Sequence, residues 1–272
     1  MSEIKTNANA SARWFAENDS KAWGEKFFLI YSPIWMAFMG LTMAMGWVKV
    51  WGDVGFMFQA CVTALPLFLY PLFFKQENTP ITQTYWFKAN LYIWIFAFFG
   101  SYFGSEYFFD VLGMVYNYPT IHWNLDSALV GTGTQKVPFT MYLLAHAYFM
   151  TYHTSAVVVL RRFKTSGLPF MFILFPLVLF AIGYFWAWAE TKAMANPMIA
   201  DQFYYKDKAR MLAYGSIMYA CYFVASFPIF YFLDEDKNKK WNLWMVCAAA
   251  LSASMITMYL LDFWTKYIGA IA

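Results

Sequence analysis

The sequence predicts an all-α fold, a polytopic membrane bundle of about seven transmembrane helices, on two observations. First, the 272-residue chain is 61% hydrophobic and 23% aromatic, whereas only 13% of its residues are charged. A soluble domain has about 45–50% apolar and about 25% charged residues. Second, seven stretches reach the roughly 20 apolar residues that one bilayer span requires, and charged or turn-forming residues separate them.

The predicted spans divide the chain into two regions. Residues 1–26 are expected to form a cytoplasmic or interfacial segment, because Trp14 and Trp23 stand among charged neighbours, as in helices that lie on a membrane surface. Residues 27–272 are expected to form the bundle, with a longer non-spanning loop at about 114–137 that is polar, aromatic and glycine-rich. The seven spans are 27–48, 54–74, 88–110, 138–160, 168–190, 210–232 and 242–265.

The positive charges predict the orientation of the bundle. With the N-terminus inside, twelve of the 19 lysines and arginines fall in inner segments and seven in outer ones. Since cytoplasmic loops carry an excess of lysine and arginine, the N-terminus is expected in the cytoplasm. The chain is therefore predicted to be a multi-pass integral membrane protein, in the inner or plasma membrane of a bacterium or in the endoplasmic reticulum of a eukaryote.

Composition also excludes several functions. The net charge of +3 is too small and too dispersed to indicate nucleic-acid binding. The three cysteines include no CxxC pair, so neither a disulfide framework nor a thiolate metal site is predicted. Three histidines are too few for a multi-histidine iron site, and the sequence has neither an HExxH pair nor a glycine-rich phosphate loop. We therefore expect no metal and no cofactor.

Ionisable side chains inside the predicted spans indicate a functional site, because such groups are costly in lipid and usually face the bundle interior. A rise of about 1.5 Å per helical residue places Glu106, His146, Glu190 and Asp262 in the outer half of four different spans. His153 lies seven residues after His146, so these two side chains project from one helix face about 10 Å apart. The alternatives are a structural hydrogen bond for each histidine and an interfacial position for each carboxyl.

Two other charged groups are interpreted without a function. Asp234, Glu235 and Asp236 follow the sixth span directly and are expected to be solvated. Arg161 and Arg162 end the fourth span and are expected to anchor it at the cytoplasmic surface.

Long collinear segments of the chain resemble one known family. In order from residue 13 to 271 they include RWFAENDSKAWGEKFFLIYSPIW, YWFKANLYIWIFAFFGSYF, YFFDVLGMVYNYP, HAYFMTYH, ETKAMAN, YFVASFPIFYFLDE and LLDFWTKYIGAI. These blocks closely resemble the cycloeucalenol cycloisomerase family. The resemblance implies a membrane enzyme of sterol biosynthesis that opens the 9β,19-cyclopropane ring of cycloeucalenol to give obtusifoliol, without a redox cofactor. It implies a sterol or triterpenoid substrate and membrane lipid as partners; the oligomeric state is not predicted.

Ring opening of this kind needs an acid that protonates the cyclopropane carbon, groups that stabilise the resulting cation, and a base that removes the neighbouring proton. The residues predicted to be catalytic are Glu106, His146, Glu190 and Asp262. The residues predicted to bind the substrate are Tyr102, His153, Trp186 and Tyr214. The hypothesis is that Glu106 or Glu190, tuned by His146, supplies the proton. Asp262 and the nearby aromatic rings would stabilise the cation.

One departure from the family and two rival interpretations accompany this hypothesis. Plant-like members of the family carry histidine where this chain has Glu106, so another polycyclic triterpenoid is an alternative substrate. A non-catalytic sterol-binding or transport protein would share an aromatic cavity but tolerate loss of the proton-transfer groups. Asp262 and Lys266, four residues apart, resemble the retinal-binding region of microbial rhodopsins. Lys266, however, stands at the end of its span, whereas a retinal lysine lies at mid-membrane.

Overall fold

The computed structural model describes residues 12–74 and 79–271. Within these ranges, six helices are long and apolar enough to cross a membrane, and the prediction of an all-α polytopic fold is confirmed. The helices are α1 (Asp19–Ala44), α2 (Trp47–Val50), α3 (Asp53–Phe74), α4 (Tyr85–Phe99), α5 (Ser105–Asp110), α6 (Thr140–Lys164), α7 (Met171–Met194), α8 (Lys208–Arg210), α9 (Ser216–Phe232) and α10 (Leu243–Tyr267). The long ones satisfy their backbone hydrogen bonds internally, as a span in lipid requires.

The third predicted span, 88–110, is helical but interrupted. A π-helical turn at Gly100–Gly104 separates α4 from α5, and most of α4 is buried among other helices. A second π turn, Met211–Gly215, separates α8 from α9. Because π turns are rare and occur frequently at functional sites, their positions indicate where in the bundle a functional site is expected.

The first helix begins earlier than the sequence predicts. The Asn18 side chain accepts hydrogen bonds from the backbone N–H groups of Ser20 and Lys21 and so caps α1, which starts at Asp19 rather than near residue 27. Residues 19–26 of the predicted interfacial segment are therefore the first two turns of this helix. Residues 1–11 of that segment lie outside the described ranges.

The centre of the bundle is α6, the helix that carries His146 and His153. It packs against α1, α3, α4, α7 and α9, and its membrane-length stretch is the most buried of the six. The helix α9 packs against both α7 and α10, and α10 also packs against α4. An ionisable group on α6 is therefore surrounded by protein rather than by lipid.

A small antiparallel sheet covers the end of the bundle at which α6 begins. Strand β1 (Met114–Tyr116), in the segment after α5, pairs with β2 (Phe203–Tyr205), in the segment after α7. The Gln135 side chain accepts from the backbone N–H of Tyr116 and donates to the carbonyl of Met114, which ties the predicted long loop to β1. Two segments far apart in sequence thus form one covering layer.

A buried cluster of six charged residues closes the opposite end, where α1 begins, and it corrects two predictions. We define the six-charge cluster as Lys21, Glu25, Lys88, Arg161, Asp234 and Glu235. The expectation that Asp234 and Glu235 are solvated is wrong: Asp234 is 1% exposed and lies 2.6 Å from the Lys88 ammonium. Asp236 alone in that run is exposed.

Arg161 organises the other half of this cluster. It is fully buried and forms paired hydrogen bonds of 2.6–2.9 Å with Glu25 and of 2.7 Å with Glu235. Lys21 also contacts Glu235, at 3.0 Å. The prediction of a simple surface anchor is therefore wrong for Arg161, because a guanidinium group can be buried when carboxylates satisfy its donors. Its neighbour Arg162 is half-buried and lies over the Trp14 ring.

Candidate functional site

A cavity of about 100 Å³ lies at the covered end of the bundle, bounded by α6, α7, α9, the Gly100–Gly104 turn and the two strands. We call it the Glu190 cavity. Five tyrosines and one glutamate line it: Tyr116, Tyr148, Tyr205, Tyr219, Tyr222 and Glu190. Its large apolar residues are Phe108, Met114, Met141, Phe149, Met194 and Phe203. One carboxyl group thus faces a space enclosed mainly by phenol rings and apolar side chains.

Glu190 reaches this cavity from the last turns of α7. The Tyr219 hydroxyl, on α9, lies 2.5 Å from its Oε2 atom and donates to it. Tyr152 on α6 interacts with the same carboxyl group. The polar neighbours in these contacts are phenols rather than ammonium or guanidinium groups, so they give the carboxyl group hydrogen-bond donors but no cationic partner.

Tyr116 and Tyr205 bring two more phenols from the strands. Burial, followed by the negative charge of Glu190, raises the pKa of both hydroxyls well above the ordinary value of a tyrosine. Both groups therefore stay protonated and can act as hydrogen-bond donors but not as bases. In the strand register Tyr205 lies opposite Met114 and Tyr116 lies opposite Phe203, and all four of these side chains line the cavity.

The walls of the cavity suit a cation as well as an apolar ligand. Tyr148, Phe149 and Tyr222 contribute ring surfaces, and the negative face of an aromatic ring attracts positive charge. Three methionines also line the space. Since about 300–1,000 Å³ is usual for a drug-sized ligand, a bulky molecule would have to displace lining side chains, and flexible methionines adapt most easily.

The structure brings only part of the predicted site to this cavity. Among the four predicted catalytic residues, Glu190 lines it. His146 is fully buried between α3 and α4: its Nε2 atom lies 2.8 Å from Asn90 Oδ1, and its ring stacks on Phe68 at 4.3 Å. These contacts give His146 a structural hydrogen bond.

Glu106 and Asp262 occupy separate places. Glu106, on α5, is 2% exposed and lies beneath the loop at Gly131, which passes so close that any Cβ at this glycine would overlap the carboxyl group. Asp262, on α10, is exposed, and the Tyr107 hydroxyl lies 3.5 Å from it. The predicted convergence of these carboxyls with Glu190 is absent from the described part of the chain.

The predicted substrate-binding residues are also dispersed. His153 is held by Ser226 and by the Phe149 carbonyl, each at 2.7 Å. Trp186 stacks on Tyr152 at 4.5 Å and so supports the ring behind Glu190. Tyr102, in the π turn, stacks on Phe98 of α4, and Tyr214 is 59% exposed.

The phenols around Glu190 were missed because their signal is weak. Tyr148 and Tyr152 are four residues apart on α6, and Tyr219 and Tyr222 are three apart on α9. Such spacing places pairs of hydroxyl groups on one helix face inside an apolar span, where each needs a polar partner. Tyr116 and Tyr205 had no comparable signal, because only the pairing of two distant strands brings them together.

These features define a polytopic helical membrane protein with a carboxyl–phenol site in a cavity at one end of the bundle. The chain is 32% identical to cycloeucalenol cycloisomerase of Arabidopsis thaliana over 98% of its own length and 93% of that protein. It therefore belongs to the cycloeucalenol cycloisomerase family, and by that membership it is an isomerase. No family model matches the chain. No solved structure matches it either.

Proposed function

We propose that this protein is a membrane-embedded sterol isomerase that opens the 9β,19-cyclopropane ring of a cycloeucalenol-like sterol to give an obtusifoliol-like product. The relationship to a protein named cycloeucalenol cycloisomerase supports the substrate class. The observation that carries the chemistry is the position of Glu190, a carboxyl group hydrogen-bonded to Tyr219 inside a cavity of aromatic rings.

The proposed reaction needs one proton in and one proton out. Neutral Glu190 donates its proton to the cyclopropane methylene carbon, C19, while the C9–C19 bond breaks; C19 becomes a methyl group and C9 a tertiary cation. Loss of the C8 proton then forms the C8–C9 double bond, and the carboxylate just generated is the base beside it. The atoms of substrate and product are the same, so the step requires no oxidant or reductant.

The surrounding residues favour this sequence of events. The Tyr219 hydroxyl donates to Glu190 and stabilises its carboxylate once the proton has left. The faces of Tyr148 and Phe149 line the space where the cation forms, and interactions that strengthen as charge develops lower the barrier. Among the residues predicted from sequence, we retain Glu190 as the acid. We assign His146 a structural role in the packing of α6 against α3 and α4.

The test is incubation of the detergent-solubilised protein with cycloeucalenol in heavy water, followed by mass spectrometry of the sterols. An obtusifoliol-like product with deuterium in the new methyl group is expected, because the Glu190 proton exchanges with solvent between turnovers. Absence of conversion, with sterol still bound, would overturn the isomerase proposal and favour a binding or transport protein, which needs the cavity but not the acid.

A further inference from the structure

A groove of about 600 Å³ lies on the outside of the bundle between α1 and α3, towards the end that the six-charge cluster closes. Side chains of α1 between positions 23 and 34 form one wall, and side chains of α3 between positions 66 and 74 form the other. Ile30 and Ile34, on the α1 wall, are 68% and 58% exposed. Since both helices are long and apolar enough to cross a membrane, the groove opens towards lipid.

Stacked aromatic rings hold the walls of this groove together. Phe27 of α1 stacks on Tyr70 of α3 with ring centroids 5.0 Å apart and planes inclined by 7°. Trp23 stacks on Phe27 at 5.7 Å, and Phe74 stacks on Tyr70 at 4.5 Å. Rings that are already packed lose little freedom when a ligand binds, so the groove is preorganised.

A hydrogen bond satisfies the polar backbone at the inner end of the groove. Pro66 lies inside α3 and has no N–H, so the Val62 carbonyl, four residues earlier, lacks its usual helical donor. The Tyr31 hydroxyl of α1 donates to this carbonyl at 2.8 Å. An unpaired carbonyl is costly in contact with lipid. The inner end of the groove is thereby suited to a hydrocarbon chain.

The outer end of the groove carries a cation. Lys26 lines this end and is exposed, and its ammonium group lies 5.2 Å from the centre of the Phe15 ring. Within the described ranges Lys26 has no carboxylate partner, whereas Lys21 on the same helix contacts Glu235 at 3.0 Å. Trp23, one turn before Lys26, is the residue type that is enriched where a helix enters the membrane interface.

The length of the groove fits one leaflet of a bilayer. With a rise of about 1.5 Å per residue, its α1 wall is about 16 Å long. The hydrocarbon core of a bilayer is about 30 Å thick, so one leaflet contributes about half of that. The volume also lies in the range of about 300–1,000 Å³ that is usual for ligand sites.

We propose that this groove binds one acyl chain of an anionic phospholipid, whose phosphate group contacts Lys26. A positive charge at the interface, directly above an aromatic and apolar groove of leaflet length, complements a phosphate above a hydrocarbon chain. A neutral sterol would fill the apolar part but would leave Lys26 without a counter-charge. The groove and the Glu190 cavity share no lining residue, so the lipid is expected to bind whether or not the protein turns over.

Native mass spectrometry tests the charged end of the site. The full-length protein is delipidated in detergent and titrated with phosphatidylglycerol, and the dissociation constant of the first bound lipid is measured. Lys26→Gln should raise this constant about fivefold. Lys164→Gln should leave it unchanged, because Lys164 is likewise exposed and lies over aromatic rings but does not line the groove. Equal constants for the two variants would overturn the proposal.

A second pair of variants tests the apolar part. Ile30→Trp fills the groove and should weaken phosphatidylglycerol binding roughly tenfold. Ile173→Trp, at a position 49% exposed on α7 and outside the groove, should not. Thermal unfolding verifies that each variant is folded. Equally tight binding of phosphatidylcholine, or displacement of phosphatidylglycerol by an equimolar amount of cycloeucalenol, would overturn the assignment to an anionic phospholipid.

Discussion

The Tyr219 hydroxyl lies 2.5 Å from Oε2 of Glu190, and this contact joins α9 to α7 inside the cavity. A phenol in this position stabilises the carboxylate without neutralising it as a lysine or arginine would. The carboxyl group can therefore lose its proton to a substrate and regain it. A proton donor that is restored in every cycle is what an isomerase that works by proton transfer requires.

Removal of the proposed acid should abolish turnover and leave the fold intact. Glu190→Gln keeps the shape of the side chain, but an amide is far too weak an acid to protonate the substrate. We therefore expect a loss of about 10²–10⁴-fold in kcat. The measurement is cycloeucalenol conversion, together with thermal unfolding in detergent. Glu17→Gln is the matched control, because Glu17 is 57% exposed in its side chain and lies at the far end of the molecule. A Glu190→Gln protein with wild-type rates would refute the assignment.

Loss of the supporting phenol should have a smaller effect. Tyr219→Phe removes one hydrogen bond to a group that becomes charged, worth about 1.5–3 kcal/mol, or about 10–100-fold in kcat. Tyr204→Phe is the control, since Tyr204 lies on β2 with its side chain 41% exposed. The ratio of the two rates decides the role of Tyr219, and equal rates would mean that its hydroxyl does not act through Glu190.

Replacement of His146 should affect stability more than catalysis. His146→Leu leaves Oδ1 of buried Asn90 without its 2.8 Å partner, at a cost of about 1–3 kcal/mol. A lower unfolding temperature with kcat within about tenfold of wild type is expected, the opposite of the Glu190→Gln pattern. Complete loss of turnover at an unchanged unfolding temperature would instead place this imidazole in the reaction, as the sequence hypothesis had it.

The six-charge cluster should be costly to break. Arg161→Met leaves Glu25 and Glu235 without their guanidinium partner in a buried place, which typically destabilises a protein by about 3–5 kcal/mol. Arg162→Met provides the comparison, because the adjacent arginine is half-buried and lies over a tryptophan ring. Urea unfolding of both variants in the same detergent measures the difference. Similar stabilities for the two would show that the buried contacts of Arg161 contribute little.

Glu235, in the same cluster, should make the protein acid-sensitive. Although burial acts in the other direction, the hydrogen bonds from Arg161 and the charge of Lys21 lower the pKa of Glu235 to about 2. In the unfolded chain a glutamate has a pKa of about 4.3. A depressed folded pKa gives stability that is fully present above about pH 4.3 and is lost as the pH falls towards 2. Unfolding temperatures should therefore decrease between these values, and less steeply in Glu235→Gln than in Asp236→Asn, which changes an exposed residue. Parallel curves for the two variants would contradict this origin of the acid sensitivity.

Much of the architecture could be predicted from local pattern. Runs of about 20 apolar residues can satisfy their backbone groups in lipid only as helices, and the long helices lie where those runs are. Helix ends were less accurate, as at Asn18, whose side-chain cap starts α1 eight residues earlier than hydropathy indicates. Hydropathy reports the apolar length of a segment and carries no information on such a hydrogen bond.

The sequence by itself determined that this chain is a membrane-embedded helical bundle with costly ionisable groups inside it, because composition and the spacing of apolar runs are local properties. It also identified Glu190 among the candidates. Only the tertiary structure decided which groups meet: Glu190 with Tyr219, and Asp234 with Lys88 across 146 positions of sequence. Whether a charge lies in water, in lipid or against a partner depends on what packs beside it, and the partner in each of these pairs comes from a distant part of the chain.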